Sequence, residues 1–246
     1  ARHLGDEQPF YGLQAMGMEH GEKVTRRLDE MAAHYIAEIR TLQPQGPYLL
    51  GGWCLGGDVA FEMAQQLQAQ GQEVALLVMV HNPLPGFPRP LPGCSAMQQK
   101  FYRLRARFDR EWCNFYEVAS NQKRAYLVER GQSMWQRLQI KFESRFDPLL
   151  RRLGVAHSQV YEKEVLADAH LKAYAAYSAK SYAGNVLLIR AQKQPLGTET
   201  DWALGWDTLI TGKLAICEIP GYPIGLLDEP RVKQVAEAIS DALKAH

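Results

Sequence analysis

The 246-residue chain holds only four cysteines, Cys54, Cys94, Cys113 and Cys217, with no C-x-x-C spacing among them. Thiols so few and so unpatterned exclude a disulfide framework and argue against a zinc site, and they suit a reducing cytosol. Long apolar runs are missing as well. No stretch approaches the roughly 20 residues that span a bilayer, and no signal peptide is legible. Nor does charge of either sign dominate: the formal net charge is +1, which gives no bulk attraction toward nucleic acid or a membrane surface. Internal repeats and low-complexity tracts are absent too.

What is present is a sequence rich enough in apolar residues (46%) to bury a full core, most simply as one globular domain over residues 1–246. Its charge is unevenly spread. Between Arg89 and Arg152 stand 14 Lys and Arg against 6 Asp and Glu, a local excess of +8, while the remainder carries −7. Such a segment is either a solvated helical face or a docking surface for an acidic partner.

Short aliphatic runs alternate with amphipathic patterns. Phe10–Leu13, Tyr48–Trp53, Val74–Val80, Val186–Arg190 and Leu214–Ile219 read as strands. Arg26–Leu42, Leu55–Ala69 and Pro230–Lys244 read as helices. Continuous apolar strands separated by helices imply an α/β fold, a mostly parallel sheet flanked by helices on both faces. Ligands then gather at the carboxyl ends of the strands. The alternation breaks in the middle. Asn82–Pro92 carries five prolines and cannot pair as a central strand, and from Met97 to about Tyr182 the pattern is helical. A helical insertion of this kind, at about 83–165, lies over the strand ends as a lid.

The stretch Gly52-Trp53-Cys54-Leu55-Gly56 joins a strand to a helix and has the form of a nucleophile elbow, G-x-nucleophile-x-G. Glycines flank the nucleophile because the turn leaves little room for side chains. The nucleophile here is Cys54, where the motif usually carries Ser. A thiol at a helix N-terminus gains from the helix dipole, which favours thiolate, and it points to acyl transfer through a thioester. The backbone N–H of Leu55 is the expected first donor of an oxyanion hole.

The wider pattern resembles the thioesterase domains that end nonribosomal peptide and polyketide synthases, members of the α/β-hydrolase superfamily. The resemblance is carried by Met31-Ala32-Ala33-His34-Tyr35, by Gly46 through Trp53, by Ala60-Phe61-Glu62-Met63-Ala64 with Gly71, and downstream by Tyr174–Tyr182, Gly184, Leu187–Ala191, Gly205-Trp206 and Pro220-Gly221. It implies an α/β-hydrolase fold with a lid. It implies no directly bound cofactor and no metal, a substrate delivered on the phosphopantetheine of a carrier protein, and a catalytic Ser or Cys, Asp and His. The family's first strand and glycine-rich loop are not found in this sequence, so the second oxyanion donor has no assignment.

Two of the three family positions have changed. The acid's place after Val80 is held by His81, followed by Asn82, and Pro223 stands by residue count where the family has its histidine. One expectation is therefore a rearranged Cys54–His81 dyad, with His81 activating the thiol and shuttling the proton. Asn82 or Asp201, with Glu199 nearby, are the candidates to orient the imidazole. Asn82 is disfavoured because neighbours on an extended chain point oppositely. His34 and His170 read as structural. The activity implied is acyl transfer onto Cys54, followed by cyclisation, condensation, transfer or hydrolysis, with Arg103, Arg105 and Arg107 contacting an acidic carrier domain. The alternative is a degenerate module that binds acyl chains without turning them over.

Overall fold

The structure, a computed structural model, describes residues 2–5, 8–17, 25, 27–102, 104–105, 123–153, 155, 158–194, 196–199 and 201–245. Among them run α1 (Leu28–Leu42), β1 (Tyr48–Trp53), α2 (Leu55–Ala69), β2 (Val74–Val80), α3 (Lys123–Arg152), α4 (Gln159–Ala175), β3 (Val186–Ala191), β4 (Leu214–Ile219) and α5 (Arg231–Lys244). The four strands form one sheet in the order β1-β2-β3-β4. All neighbours are parallel, with Trp53 beside Val80, Val80 beside Ile189 and Ile189 beside Cys217. The expected α/β architecture is thus present, its helices on both sheet faces.

Residue alternation along β2 explains the layering. Leu77 and Met79 pack with Phe61, Leu188 and Trp206 on the α2 side. Leu76, Val78 and Val80 pack with Leu187, Ile189, Ile219 and Val235 of α5 on the other. A strand buried on both faces needs an unbroken apolar run, which is what Val74–Val80 supplies. Helix α2 is likewise buried on two sides. Ala60, Phe61 and Ala64 meet the sheet, while Val59, Met63 and Leu67 meet Leu28, Met31, Tyr35 and Ile36 of α1. Each such side chain taken fully from water contributes roughly 1.5–3 kcal/mol.

One expected strand is not formed. Phe10–Leu13 is irregular and unpaired, because a four-residue apolar run becomes a strand only against a neighbour that completes its ladder. Among the described residues nothing pairs with the outer edge of β1. The segment instead lies across a cavity from Gly51 of β1. The proline-rich stretch after β2 does avoid the sheet ladder: its bridge, Pro90 to Thr198, lies outside the strands, and Leu84 packs on the core beside Leu77 and Met79. The helical reading of residues 97–182 holds for α3 and α4. It ends at Ala175, after which the chain extends to Tyr182, bridged to Ile210. Residues 106–122 and Arg103 lie outside the described residues. No described helix is long and apolar enough to cross a membrane.

Candidate active site

The junction between β1 and α2 forces Cys54 into φ 52°, ψ −127°, a region that L-residues occupy only under constraint from their surroundings. Three contacts impose it. Cys54 N–H donates to Val80 O at 3.2 Å, tying the residue to the end of β2, and Gly57 N–H donates back to Cys54 O at 2.8 Å, starting the helix. Gly52 lies so close to the Gly56 carbonyl that a Cβ there would overlap the backbone. The glycines are not equivalent, however. A Cβ on Gly57 would strike the Asn82 amide at 2.8 Å, whereas one on Gly56 would meet nothing within 4 Å. Cys54 itself is exposed and free, and Leu55 follows as the first residue of α2, its N–H lacking an intrahelical partner by position.

His81 stands at the next strand end, also with a positive φ of 41°. Its N–H donates to Ile189 O at 2.6 Å, and its Nδ1 accepts the N–H of Ala191 at 3.1 Å. The ring is therefore locked to the end of β3. Burial, reinforced by the charge of Arg190, pushes its pKa down to about 4, so the imidazole is neutral at pH 7. With Nδ1 accepting, the ring proton resides on Nε2. In this arrangement the Nδ1 lone pair is engaged by a backbone donor and Nε2 carries the hydrogen.

The two expected orienting groups are also committed elsewhere. Asn82 is fully buried and faces away from His81. Its Nδ2 donates to Asp58 Oδ1 at 3.1 Å, and its backbone carbonyl accepts the Trp206 indole N–H at 2.5 Å. Alternation at a strand end accounts for the divergence: His81 turns to β3 and Asn82 to α2. Asp201 closes its own loop, Oδ1 accepting from Ala203 N–H at 2.8 Å and Gly205 N–H at 3.0 Å. Pro223 opens a short 3-10 turn, Pro223–Gly225.

Sequence reasoning missed Asp58, buried directly below the elbow, where burial raises its pKa to about 7 against the countervailing bond from Asn82. Its only sequence signal was an acidic residue inside an otherwise apolar helix start. Tyr174 was missed as a site neighbour as well. Its hydroxyl donates to Pro83 O at 3.1 Å, and burial first, then the neighbouring Asp58 and Cys54, push its ionisation up. His170 is buried against the backbone of Met16, its Nε2 without a partner. It lines a cavity of about 330 Å³ together with Tyr11, Leu13, Gly51, Leu55 and Gly56, beside the start of α2. No cluster of His, Cys, Asp or Glu among the described residues could hold a metal ion.

Known proteins resemble this chain. The family described as Thioesterase domain matches residues 1–243. A dimodular nonribosomal peptide synthase of Bacillus subtilis (strain 168) is 32% identical over 247 residues, covering 98% of this chain and 10% of that protein. A non-reducing polyketide synthase of Pseudevernia furfuracea is 45% identical over 85 residues, which is 35% of this chain and 4% of the synthase. Among solved structures, the NocB thioesterase domain in covalent complex with a fluorophosphonate nocardicin G analogue aligns with TM-score 0.56 and 26% identity, over 92% of this chain and 78% of that one. A four-domain nonribosomal peptide synthetase, AB3403, bound to AMP and glycine, aligns with TM-score 0.61 and 25% identity, over 93% of this chain and 17% of that one. The chain thus spans a tenth or less of the Bacillus subtilis and Pseudevernia furfuracea synthases. A family match over residues 1–243, on a parallel sheet flanked by helices, makes the chain a member of the thioesterase-domain family.

Proposed function

We propose that this domain accepts an acyl or peptidyl group from a carrier-bound phosphopantetheine thioester onto Cys54 and then releases it, in the cytoplasm, at the end of a polyketide or nonribosomal peptide assembly line. The observation that carries this reading is the strained, exposed Cys54 at the mouth of α2. Thiol–thioester exchange forms the Cys54 S–acyl bond, breaks the carrier S–acyl bond and returns the proton to the departing phosphopantetheine thiol. The step needs no net base, which fits a site whose imidazole is otherwise engaged. Leu55 N–H supplies one donor to the oxyanion of the tetrahedral intermediate.

Release follows when a second nucleophile attacks the acyl-Cys54 carbonyl. Without a strong general base, water is at a disadvantage against a hydroxyl, amine or carbon nucleophile held within the substrate. We therefore favour cyclisation, condensation or transfer over hydrolysis. Arg105, with Arg103 and Arg107, belongs to the basic segment that would meet an acidic carrier domain, and carrier binding should weaken as salt rises.

Pro223 in place of the family histidine, together with the engaged His81, favours a second reading, an acyl-binding domain without turnover. Intact-protein mass spectrometry after mixing with an acyl-thioester surrogate separates the two. An acyl mass on the native chain that is lost in Cys54→Ala and retained in His81→Asn supports transfer through the thiol without a histidine base. Absence of any adduct supports the binding domain.

A further inference from the structure

Directly beneath the elbow lies a pair of polar side chains that the acyl-transfer reading leaves unused. Asp58, 1% exposed, and Asn82, 0% exposed, meet through a single bond, Nδ2–H to Oδ1 at 3.1 Å. The pair is closed off from solvent by α2 on one side and by the Trp206 indole, which caps the Asn82 carbonyl, on another. Asn82 is pressed against Gly57, leaving no room for its amide to swing away.

Two facts about this pair do not fit an ionised carboxylate. First, Asp58 makes no salt bridge among the described residues, so a negative charge there would be buried without a counter-ion, an arrangement that proteins avoid by neutralising the group. Second, Asn82 Oδ1 is buried and has no hydrogen-bond donor. A buried amide oxygen without a donor forfeits its solvation with nothing in return. A proton on Asp58 resolves both at once: it removes the charge and gives Asn82 Oδ1 the donor it lacks.

We infer that Asp58 is held as the neutral acid in a closed acid–amide pair with Asn82, and that this pair is a positioning element which keeps the region beneath Cys54 free of negative charge. The inference rests on Cys54 being the reactive group of the proposed function. It goes beyond that reading by assigning the control of thiol reactivity to a carboxyl that never touches substrate. Loss of the Asp58 proton places an anion under the elbow, which opposes the negative charge that Cys54 carries in attack.

The other titratable groups around the pair keep one charge state near neutrality or are engaged. Tyr174 and Tyr177, packed on α2 from the α4 side, both have their ionisation pushed up by burial, and the Tyr177 hydroxyl donates to Glu62 Oε2 at 2.8 Å. His81, on the residue preceding Asn82, is neutral above pH 5. Asp29 of α1 and Glu62 of α2 face Tyr177. Cys54 and Asp58 both act on Tyr174, which places the thiol in the same neighbourhood as the pair.

Two measurements test the inference, and neither depends on turnover. Carboxyl ¹³C NMR of the native chain and of Asp58→Asn identifies the Asp58 resonance by its loss. A midpoint near neutrality is expected, and a midpoint in the ordinary carboxylate range, about 4, overturns the proposal. Alkylation of Cys54 by iodoacetamide, resolved by peptide mass spectrometry from the other cysteines, is then followed at pH 5 and pH 8. Asp58→Asn keeps an amide–amide pair of the same shape and should match the native rate at pH 5, then exceed it by about threefold to tenfold at pH 8, half to one unit of ionisation. Equal rates at both pH values, or the same change at both, overturn it. Asp58→Ala, which leaves Asn82 with neither partner, should lose the native rate at pH 5, where Asp58→Asn restores it. Native behaviour of Asp58→Ala at pH 5 also overturns the proposal.

Discussion

At Gly52 the backbone of α2 passes where a side chain would begin, so Gly52→Ala cannot be absorbed by a rotamer change. The start of the helix would have to move, and a loss of roughly 1–3 kcal/mol in urea unfolding is expected, as for other overpacked sites. Gly56 is the contrast. It shares the motif but faces open space, and at a helical position with ordinary φ an alanine is better tolerated than glycine. Gly56→Ala should leave stability unchanged or raise it by up to about 1 kcal/mol. The two glycines of G-x-C-x-G look alike in the sequence because the pattern records what the turn permits, not which atom approaches which. That approach depends on how α2 leaves the strand, and Gly57, outside the motif's spacing, turns out to be constrained by Asn82.

Among the elements, the strands and helices with long, consistent runs were legible: Tyr48–Trp53, Leu55–Ala69 and Leu214–Ile219 occupy the residues their patterns imply. Phe10–Leu13 was not, because a strand is a property of two segments and the ladder cannot be read from one. The helical middle conceals another feature. On α3 an apolar stripe of Trp135, Leu138, Phe142, Phe146 and Leu149 remains exposed, with Phe142 and Phe146 rings 4.8 Å apart. Helical spacing alone does not say whether anything covers such a stripe. Since these side chains bury little, Trp135→Glu combined with Leu138→Glu should shift folding free energy by no more than about 1 kcal/mol. Light scattering should at the same time show less self-association. A large loss of stability would mean that the stripe is covered in solution.

For the whole molecule, two buried groups pull the pH dependence of folding in opposite directions. His81 has its pKa lowered from 6.5 to about 4, so between those values the unfolded chain binds the extra proton and stability rises with pH. Asp58 has its pKa raised from 3.8 to about 7, so over nearly the same window the folded chain binds the extra proton and stability falls as pH rises. With both present, stability should be nearly flat from pH 4 to pH 6.5. Asp58→Asn should uncover the rising slope and His81→Asn the falling one, each spanning about 3 kcal/mol across the window. Urea midpoints measured at pH 4.5 and 6.5 check the signs, and slopes of the same sign in both variants would contradict this assignment. The elbow was legible because strand, glycine and helix are local. The surroundings that set these proton affinities were not, since Ala191, Arg190 and Asp58 reach the strand ends from separate stretches of chain.

The bond from Trp206 to the Asn82 carbonyl gives the protein an optical handle. Trp206 is fully buried and its ring lies 4.6 Å from that of Phe61, while Trp53, Trp135 and Trp202 are exposed. Among the described tryptophans, a collisional quencher such as acrylamide therefore dims those three and spares the indole whose N–H is tied to the residue beside Asp58. The emission that survives quenching should shift in colour as the acid–amide pair gains or loses its proton, letting the state of the site be followed in solution without a label.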